Sequence, residues 1–94
     1  MHTMVIQMST DPSRTDAVAR HLREDIVSWA RHQPGFVSGQ WLLCPGHDQG
    51  MGVVVFATED AACAAAQGPR SYPRDDNRAW NIEDVVVYHQ VTAA

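Results

Sequence analysis

The stretch MGVVVFAT, from Met51 to Thr58, constrains the fold more than any other part of this sequence. It predicts a strand with apolar residues on both faces, and such a strand must be covered on both sides. Before it come PGHDQG, a run of turn-forming residues, and FVSGQWLLC, from Phe36 to Cys44, which alternates like a strand with one more apolar face. We therefore expect the two strands to form an antiparallel hairpin.

A helix is predicted on each side of this hairpin. The first has Asp11 as its N-cap and Pro12 at the first helical position, and it ends at Pro34-Gly35. Its apolar residues recur at steps of three and four and indicate one buried side: Val18, Leu22, Ile26 and Trp29.

The second helix and the outer strands complete the chain. The alanine-rich run from Asp60 to Gln67, with Thr58 or Glu59 near its start, predicts a short helix that Gly68-Pro69 ends. Apolar runs predict a first strand at Met4–Ser9 and a last strand at Glu83–Thr92.

The predicted order is strand, helix, strand, strand, helix, strand, which is the α+β ferredoxin-like arrangement with a four-stranded antiparallel sheet. At 94 residues the chain is expected to be a single domain, residues 1–94. Two helices cover only one face of such a sheet, and the other face is also apolar. We therefore expect a homodimer whose two sheets pack face to face.

Composition excludes some partners. Seven basic residues against eleven acidic ones give a formal net charge of −4, which argues against duplex nucleic acid, since such binding depends on basic side chains that neutralise phosphates. No apolar run predicts a membrane span or a secretion signal, so we expect a cytoplasmic protein. Cys44 and Cys63 are then expected to be reduced and buried, and Cys44 with His47 lacks the second ligand pair of a zinc site.

Four segments together resemble one family. They are HQPGF, SGQWLLCPGHDQGMGVVVFAT, TEDAACAAAQGP and IEDVVVYHQV, and they are similar to the dimeric α/β-barrel superfamily, specifically to antibiotic-biosynthesis-monooxygenase-type domains. The resemblance implies a ligand pocket in each subunit between helices and sheet, roofed partly by the segment after the second helix. The superfamily includes cofactor-free oxygenases of polycyclic phenols or anthrones, heme-degrading oxygenases, isomerases and members without known activity.

The resemblance also suggests which residues form the site. Heme-degrading relatives carry an asparagine, a tryptophan and a histidine where this chain has Gln7, Ala65 and a residue near Arg74, so heme oxygenation is not favoured. Cofactor-free relatives orient a phenolic substrate with amide, aromatic and cationic groups. The corresponding candidates are the catalytic residues Gln7, Tyr72 and Trp80 and the substrate-binding residues Trp41, Arg70 and Arg74.

Histidines provide one more candidate. His89 is the polar residue on the strand face of Val85, Val87 and Val91, where it would be a general base, a hydrogen-bonded structural histidine or an exposed edge residue. The other histidines, His2, His21, His32 and His47, are expected at the surface.

Other candidates have structural alternatives. Gln7 would line the pocket, face solvent or be a hydrogen-bonded core amide. Trp41 would line the pocket or pack at the dimer contact, and Trp29 is expected to pack in the core. The stretch QGPRSYPRDDNRAW, Gln67–Trp80, is interpreted as a lid because Tyr72 and Trp80 would have little reason to lie in a purely solvated loop.

Three functions follow. The first is a cofactor-independent monooxygenase acting on a small aromatic substrate, with no cofactor or metal. The second is a non-catalytic dimeric module that binds a small molecule or is purely structural. The third is heme binding or degradation. A cavity lined by Gln7, an aromatic side chain and a cation would favour the enzyme, whereas a lumen filled by Val, Met and Phe would favour the structural module.

Overall fold

The computed structural model describes all 94 residues, and its sheet has the predicted topology. Four antiparallel strands are arranged in the order β2-β3-β1-β4, and both connections that cross the sheet are helical. The α+β ferredoxin-like prediction is confirmed. The elements are β1 (His2–Thr10), a 3₁₀ turn (Pro12–Arg14), α1 (Thr15–His21), a π-turn (Leu22–Ile26), α2 (Val27–Arg31), β2 (Phe36–Leu43), β3 (Gln49–Phe56), α3 (Glu59–Arg70) and β4 (Trp80–His89).

α1, the π-turn and α2 follow one another without a break and form one N-terminal helix, residues 15–31. As predicted, Asp11 caps the turn before it: its carboxylate accepts a hydrogen bond from the backbone N–H of Ser13 at 2.9 Å. The turn between the N-terminal helix and β2 requires glycine at Gly35, where φ is +79° and a Cβ atom would lie 2.6 Å from the Cβ atom of Ala61. This turn therefore approaches α3 closely.

α3 begins as predicted but ends later. Thr58 caps it by accepting the backbone N–H of Ala61 at 3.1 Å. The helix continues through Pro69 to Arg70, because a proline in the last turn removes a single hydrogen bond and the Pro69 ring is buried. β4 also begins at Trp80, three residues before the predicted start, so the irregular connection is only residues 71–79. We call these nine residues the connecting segment.

The strands alternate between a face covered by the helices and an open face. In β1 the residues Met4, Ile6, Met8 and Thr10 are buried, and in β3 so are Gly50, Gly52, Val54 and Phe56. The residues between them are less buried and point away from the helices. The core thus lies between the helices and one face of the sheet. No helix is long and apolar enough to cross a membrane.

Candidate functional site

A cavity of about 150 Å³ lies between the helices and the covered face of the sheet. Nine of its eleven wall residues are hydrophobic. Four of them are large aromatic side chains, and they come from the N-terminal helix, β2, the connecting segment and β4. The wall consists of Ile6, Met8, Leu22, Ile26, Trp29, Trp41, Gly68, Pro69, Tyr72, Trp80 and Ile82.

Glycines make room for two of the tryptophans. A Cβ atom at Gly39 would lie 2.7 Å from the Trp41 ring, and one at Gly52 would lie 3.1 Å from its Nε1 atom, so the indole rests flat on the backbone of β2 and β3. A Cβ atom at Gly68 in α3 would lie 3.4 Å from the Trp29 ring. Side chains at these positions would push the indoles into the cavity.

Trp80 is the centre of a stack at one side of the cavity. The His21 imidazole lies nearly parallel to the Trp80 indole, with ring centroids 4.7 Å apart and an interplanar angle of 22°. The Tyr72 ring is 5.5 Å away, and the Arg78 guanidinium lies 4.4 Å from the Trp80 ring centroid and 4.8 Å from that of Tyr72. Trp80 is only 6% exposed, so these contacts fix one wall of the cavity.

Arg78 also fixes the shape of the connecting segment. Its Nε donates to the Trp80 carbonyl at 2.8 Å, and its Nη2 donates to the Pro73 carbonyl at 2.9 Å and to Oδ1 of Asn81 at 2.8 Å. Asn81, itself buried, accepts the backbone N–H of Asp75 and donates to the Asp75 carbonyl. These bonds hold the segment against the sheet with Tyr72 in the cavity wall.

Three of the seven sequence candidates line this cavity and four do not. Trp41, Tyr72 and Trp80 are in the wall. Gln7 is exposed on the opposite face of the sheet, because its neighbours Ile6 and Met8 point to the helices and side chains alternate along a strand. The expected pocket position of Gln7 is therefore corrected: its side chain lies on the open face, between β3 and β4.

The two candidate arginines contact protein groups outside the cavity. Arg70 donates from Nη2 to the Val85 carbonyl at 3.3 Å. Arg74 is exposed, and it contacts Glu83 at 2.9 Å and Asp76 at 3.1 Å. Hydrogen bonds to Glu83 and Asp76 raise the pKa of Arg74, and those from the Ser9 hydroxyl and Arg74 lower the pKa of Glu83. The ion pairs account for Arg74 without a ligand.

His89 lies at the end of β4, is exposed, and has its ring 4.9 Å from that of His2. It pairs with His2 at the end of the sheet and is not among the residues that line the cavity. Both cysteines are free and partly buried, and no cluster of three or more His, Cys, Asp or Glu side chains is arranged to hold a metal ion.

Sequence reasoning missed Trp29, Arg78 and His21. Trp29 was expected in the core, but it lines the cavity at the edge of the apolar stripe of its helix. Arg78 gave no signal, because its main partners are backbone carbonyls. His21 was expected at the surface, whereas its Nε2 is buried and its Nδ1 lies 2.8 Å from Asp25. The four-residue spacing of His21 and Asp25 on a helix was the available signal.

No protein-family model matches the sequence, and no curated protein matches it. Solved structures do match along nearly the whole chain. The heme degrader MhuD of Mycobacterium tuberculosis, with two hemes in its active site, is 14% identical with a TM-score of 0.74, over 100% of this chain and 99% of that one. A monooxygenase from the gene ActVA-Orf6 of Streptomyces coelicolor, in complex with nanaomycin D, is 16% identical with a TM-score of 0.68, over 99% and 89%.

A third structure is SnoaB, a cofactor-independent oxygenase of Streptomyces nogalater, which is 15% identical with a TM-score of 0.60, over 98% of this chain and 94% of that one. At such identities the likeness concerns the fold, and function must be argued from the site. The chain therefore shares the ferredoxin-like α+β fold of these three structures, and the predicted fold is confirmed.

Proposed function

We propose that residues 1–94 form a cofactor-independent oxygenase that oxidises a small aromatic substrate with a phenolic or enolisable group. The observation that carries the proposal is the cavity with four aromatic wall residues, Trp29, Trp41, Tyr72 and Trp80. Flat aromatic walls bind a flat ring by stacking and exclude water from it. Two structural neighbours, from Streptomyces coelicolor and Streptomyces nogalater, are described as a monooxygenase and a cofactor-independent oxygenase.

The proposed chemistry uses the electrons of the substrate. Loss of a proton makes the ring electron-rich enough to reduce oxygen; for an anthrone, one oxygen atom of O₂ becomes the new carbonyl and the other leaves as water with the two hydrogens of the oxidised carbon. The protein contributes position and a dry, low-dielectric site. Arg78 is not a wall residue, but its guanidinium lies over the rings of Trp80 and Tyr72 and adds a positive charge next to these two wall residues.

The size of the cavity bears on the substrate. An engineered cavity of about 150 Å³ in another protein binds benzene, so a single ring fits the present volume of about 150 Å³. A polycyclic phenol or an anthrone is larger and would extend past Tyr72, whose side chain is half exposed. We therefore expect affinity to depend on Tyr72 more strongly as rings are added.

Heme fits this cavity poorly. The volume is below the roughly 300–1,000 Å³ of pockets for drug-sized ligands, and the wall contains neither histidine nor cysteine. The family resemblance implies that Ala65 stands where heme-degrading relatives carry a tryptophan, and Ala65 is buried. We therefore derive no heme chemistry for this chain.

The test is oxygen uptake with anthrone, 1,5-dihydroxynaphthalene and hydroquinone, with products identified by mass spectrometry. We expect one O₂ consumed for each quinone formed from anthrone. Tyr72→Ala should lower kcat/KM about tenfold, equivalent to about 1.4 kcal/mol. Tyr88→Ala is the matched control, because Tyr88 is also half exposed but lies on the open face. Uptake no faster than without protein, or equal loss in both variants, would contradict the proposal.

The second candidate is a non-catalytic module that binds a small apolar molecule. It is favoured by one observation: the cavity wall contains no acidic, basic or imidazole side chain. Binding of hydroquinone or naphthalene, measured by quenching of tryptophan fluorescence, without uptake for any compound in the panel would select this function.

We also propose that the protein is a homodimer in the cytoplasm. The central part of the open face is aliphatic, with Val5, Val53, Val55 and Val86 half-buried and without covering helices. A second copy would cover this face with a complementary flat sheet. Two free cysteines are in keeping with a reducing compartment. Light scattering at micromolar concentration should give twice the chain mass of 10.4 kDa; the monomer mass would contradict the dimer.

A further inference from the structure

The ends of β1 and β4 place two histidines side by side. His2 lies directly opposite His89 in the antiparallel register, and their ring centroids are 4.9 Å apart. Just outside the pair, the backbone N–H of Gln90 donates to the Met1 carbonyl at 3.1 Å. This bond identifies His2 and His89 as a non-hydrogen-bonded pair, the type in which opposite side chains lie closest together. The sheet therefore holds both imidazoles in register and on the same face.

The ring nitrogens of this pair are free to bind a ligand. Neither His2 nor His89 makes a side-chain hydrogen bond or an ion pair within the protein. In each of the other three histidines a ring nitrogen contacts a protein oxygen: His21, His32 and His47. His89 is exposed and His2 is half-buried, so solvent reaches the pair. His2 is two residues from Met4 and shares its face of the sheet, so a second copy on the open face would leave the pair accessible.

The separation of the two rings suits a shared metal ion. A metal ion bonded to an imidazole nitrogen at about 2.0–2.1 Å lies about 3.2 Å from the centre of that ring. Two rings bound to one ion at an angle of about 90–110° therefore have centroids about 4.5–5.2 Å apart. The observed separation of 4.9 Å is within this range. Rotation of the two side chains is then sufficient for binding, and neither strand has to move.

We propose that His2 and His89 together bind one divalent ion of the late first-row transition metals, such as Ni²⁺, Cu²⁺ or Zn²⁺. Imidazole suits these ions, whereas Mg²⁺ prefers oxygen ligands. No third His, Cys, Asp or Glu side chain is arranged to join the two rings, so water completes the coordination. Neither histidine lines the cavity, and the site is therefore independent of the proposed function.

Metal binding at this site should stabilise the fold. The two ligands come from opposite ends of the chain, and only the pairing of β1 with β4 brings them together. An ion that binds both rings therefore binds the folded state in preference to the unfolded state. We expect the urea midpoint to rise with the concentration of Ni²⁺ and to stay constant with Mg²⁺.

The probe is Ni²⁺, with affinity measured by isothermal titration calorimetry and stability by urea unfolding. His89→Gln should weaken Ni²⁺ binding about tenfold or more and remove the rise in urea midpoint. His2→Gln should do the same. The double variant should bind within about twofold of either single variant, because a site made of two ligands is lost with the first of them.

His32→Gln is the matched control. His32 is exposed, like His89, but it follows the N-terminal helix and has no histidine opposite it. We expect its Ni²⁺ affinity and its rise in urea midpoint to equal those of the wild type. Circular dichroism verifies the fold of each variant. His89 is at the exposed end of its strand, so His89→Gln remains a valid test even if His2→Gln fails to fold.

Equal Ni²⁺ affinity in the wild type and the double variant would overturn the inference, because binding would then be adventitious. Full affinity in His89→Gln with a loss only in His2→Gln would also overturn it, since that pattern indicates binding by the amino terminus and His2. Losses in the single variants that add up in the double variant would show two separate single-histidine sites and contradict a shared ion.

Discussion

The two faces of the sheet are made by the same four strands, but they are built differently. The covered face combines large aromatic residues with the strand glycines Gly39, Gly50 and Gly52. The Trp41 ring lies over Gly39 and Gly52, and Gly50 is buried on the same face. The open face has no glycine at its centre, where Val5 faces Val53. Missing side chains leave room for a ligand, whereas a continuous aliphatic layer leaves none.

The two faces are therefore suited to bind different partners. The covered face has depth, since the Trp41 indole lies over two glycines and still leaves a cavity. The centre of the open face is aliphatic, with Val5 opposite Val53, and the faces of sheets pack well against another sheet. Gln7 is on the open face, so its amide would meet the partner sheet of a dimer before it could meet a ligand in the cavity of its own chain.

Among substitutions that distinguish the two faces, we expect the largest loss of stability at Trp80. Trp80→Ala removes a side chain that is 6% exposed, and such substitutions cost about 3–5 kcal/mol of unfolding free energy. Leu42→Ala, at a residue 47% exposed on the open face, should cost less than about 1 kcal/mol. Urea unfolding measures both, and similar losses for the two variants would contradict a covered core beside an open face.

Sequence reasoning predicted the elements better than the faces. The N-cap at Asp11 was readable, and the start of α3 was narrowed to Thr58 or Glu59, because capping depends on neighbouring residues. Both faces of β3 are apolar, so its sequence does not indicate which face the helices cover. Tertiary packing determines the covered face, and it therefore also determines on which face Gln7 lies.

The site shows the same limit. Trp41, Tyr72 and Trp80 were found because large aromatic residues are conspicuous in a strand or a connecting segment. Arg78 was not, since its bonds to the carbonyls of Pro73 and Trp80 depend on the path of the segment itself. A contact with a backbone atom leaves no mark in the sequence.

A substitution at the centre of the open face should weaken the proposed dimer. Val53 lies opposite Val5 on one side and Gln40 on the other. Val53→Asp would bury a carboxylate between the two sheets of a dimer, so we expect the dissociation constant to rise at least tenfold, about 1.4 kcal/mol. Sedimentation over a concentration series measures it, with circular dichroism to verify the fold.

Ala64→Asp is the matched control for that experiment, because Ala64 is exposed on α3 and lies on the helix side of the molecule. It should leave the dissociation constant unchanged. If Val53→Asp remained as fully dimeric as Ala64→Asp, the second copy would have to bind elsewhere, and the open face would need another partner.

The smallest effect is expected at the point where the chain leaves β1 to cover one face. Hydrogen bonds from the Ser13 hydroxyl and backbone N–H, then from Arg14, lower the pKa of Asp11 from 3.8 to about 2. Because the folded pKa is the lower one, this contribution to stability is complete above pH 3.8 and is lost as the pH falls toward about 2. Asp11→Asn keeps a capping side chain but not the charge. The urea midpoint of wild type should therefore exceed that of Asp11→Asn near neutral pH and approach it in acid. A difference in urea midpoint that stays constant down to the lowest pH would show that the charge of Asp11 does not stabilise the start of the N-terminal helix. The position of this helix on the covered face would then depend on its packing against the sheet alone.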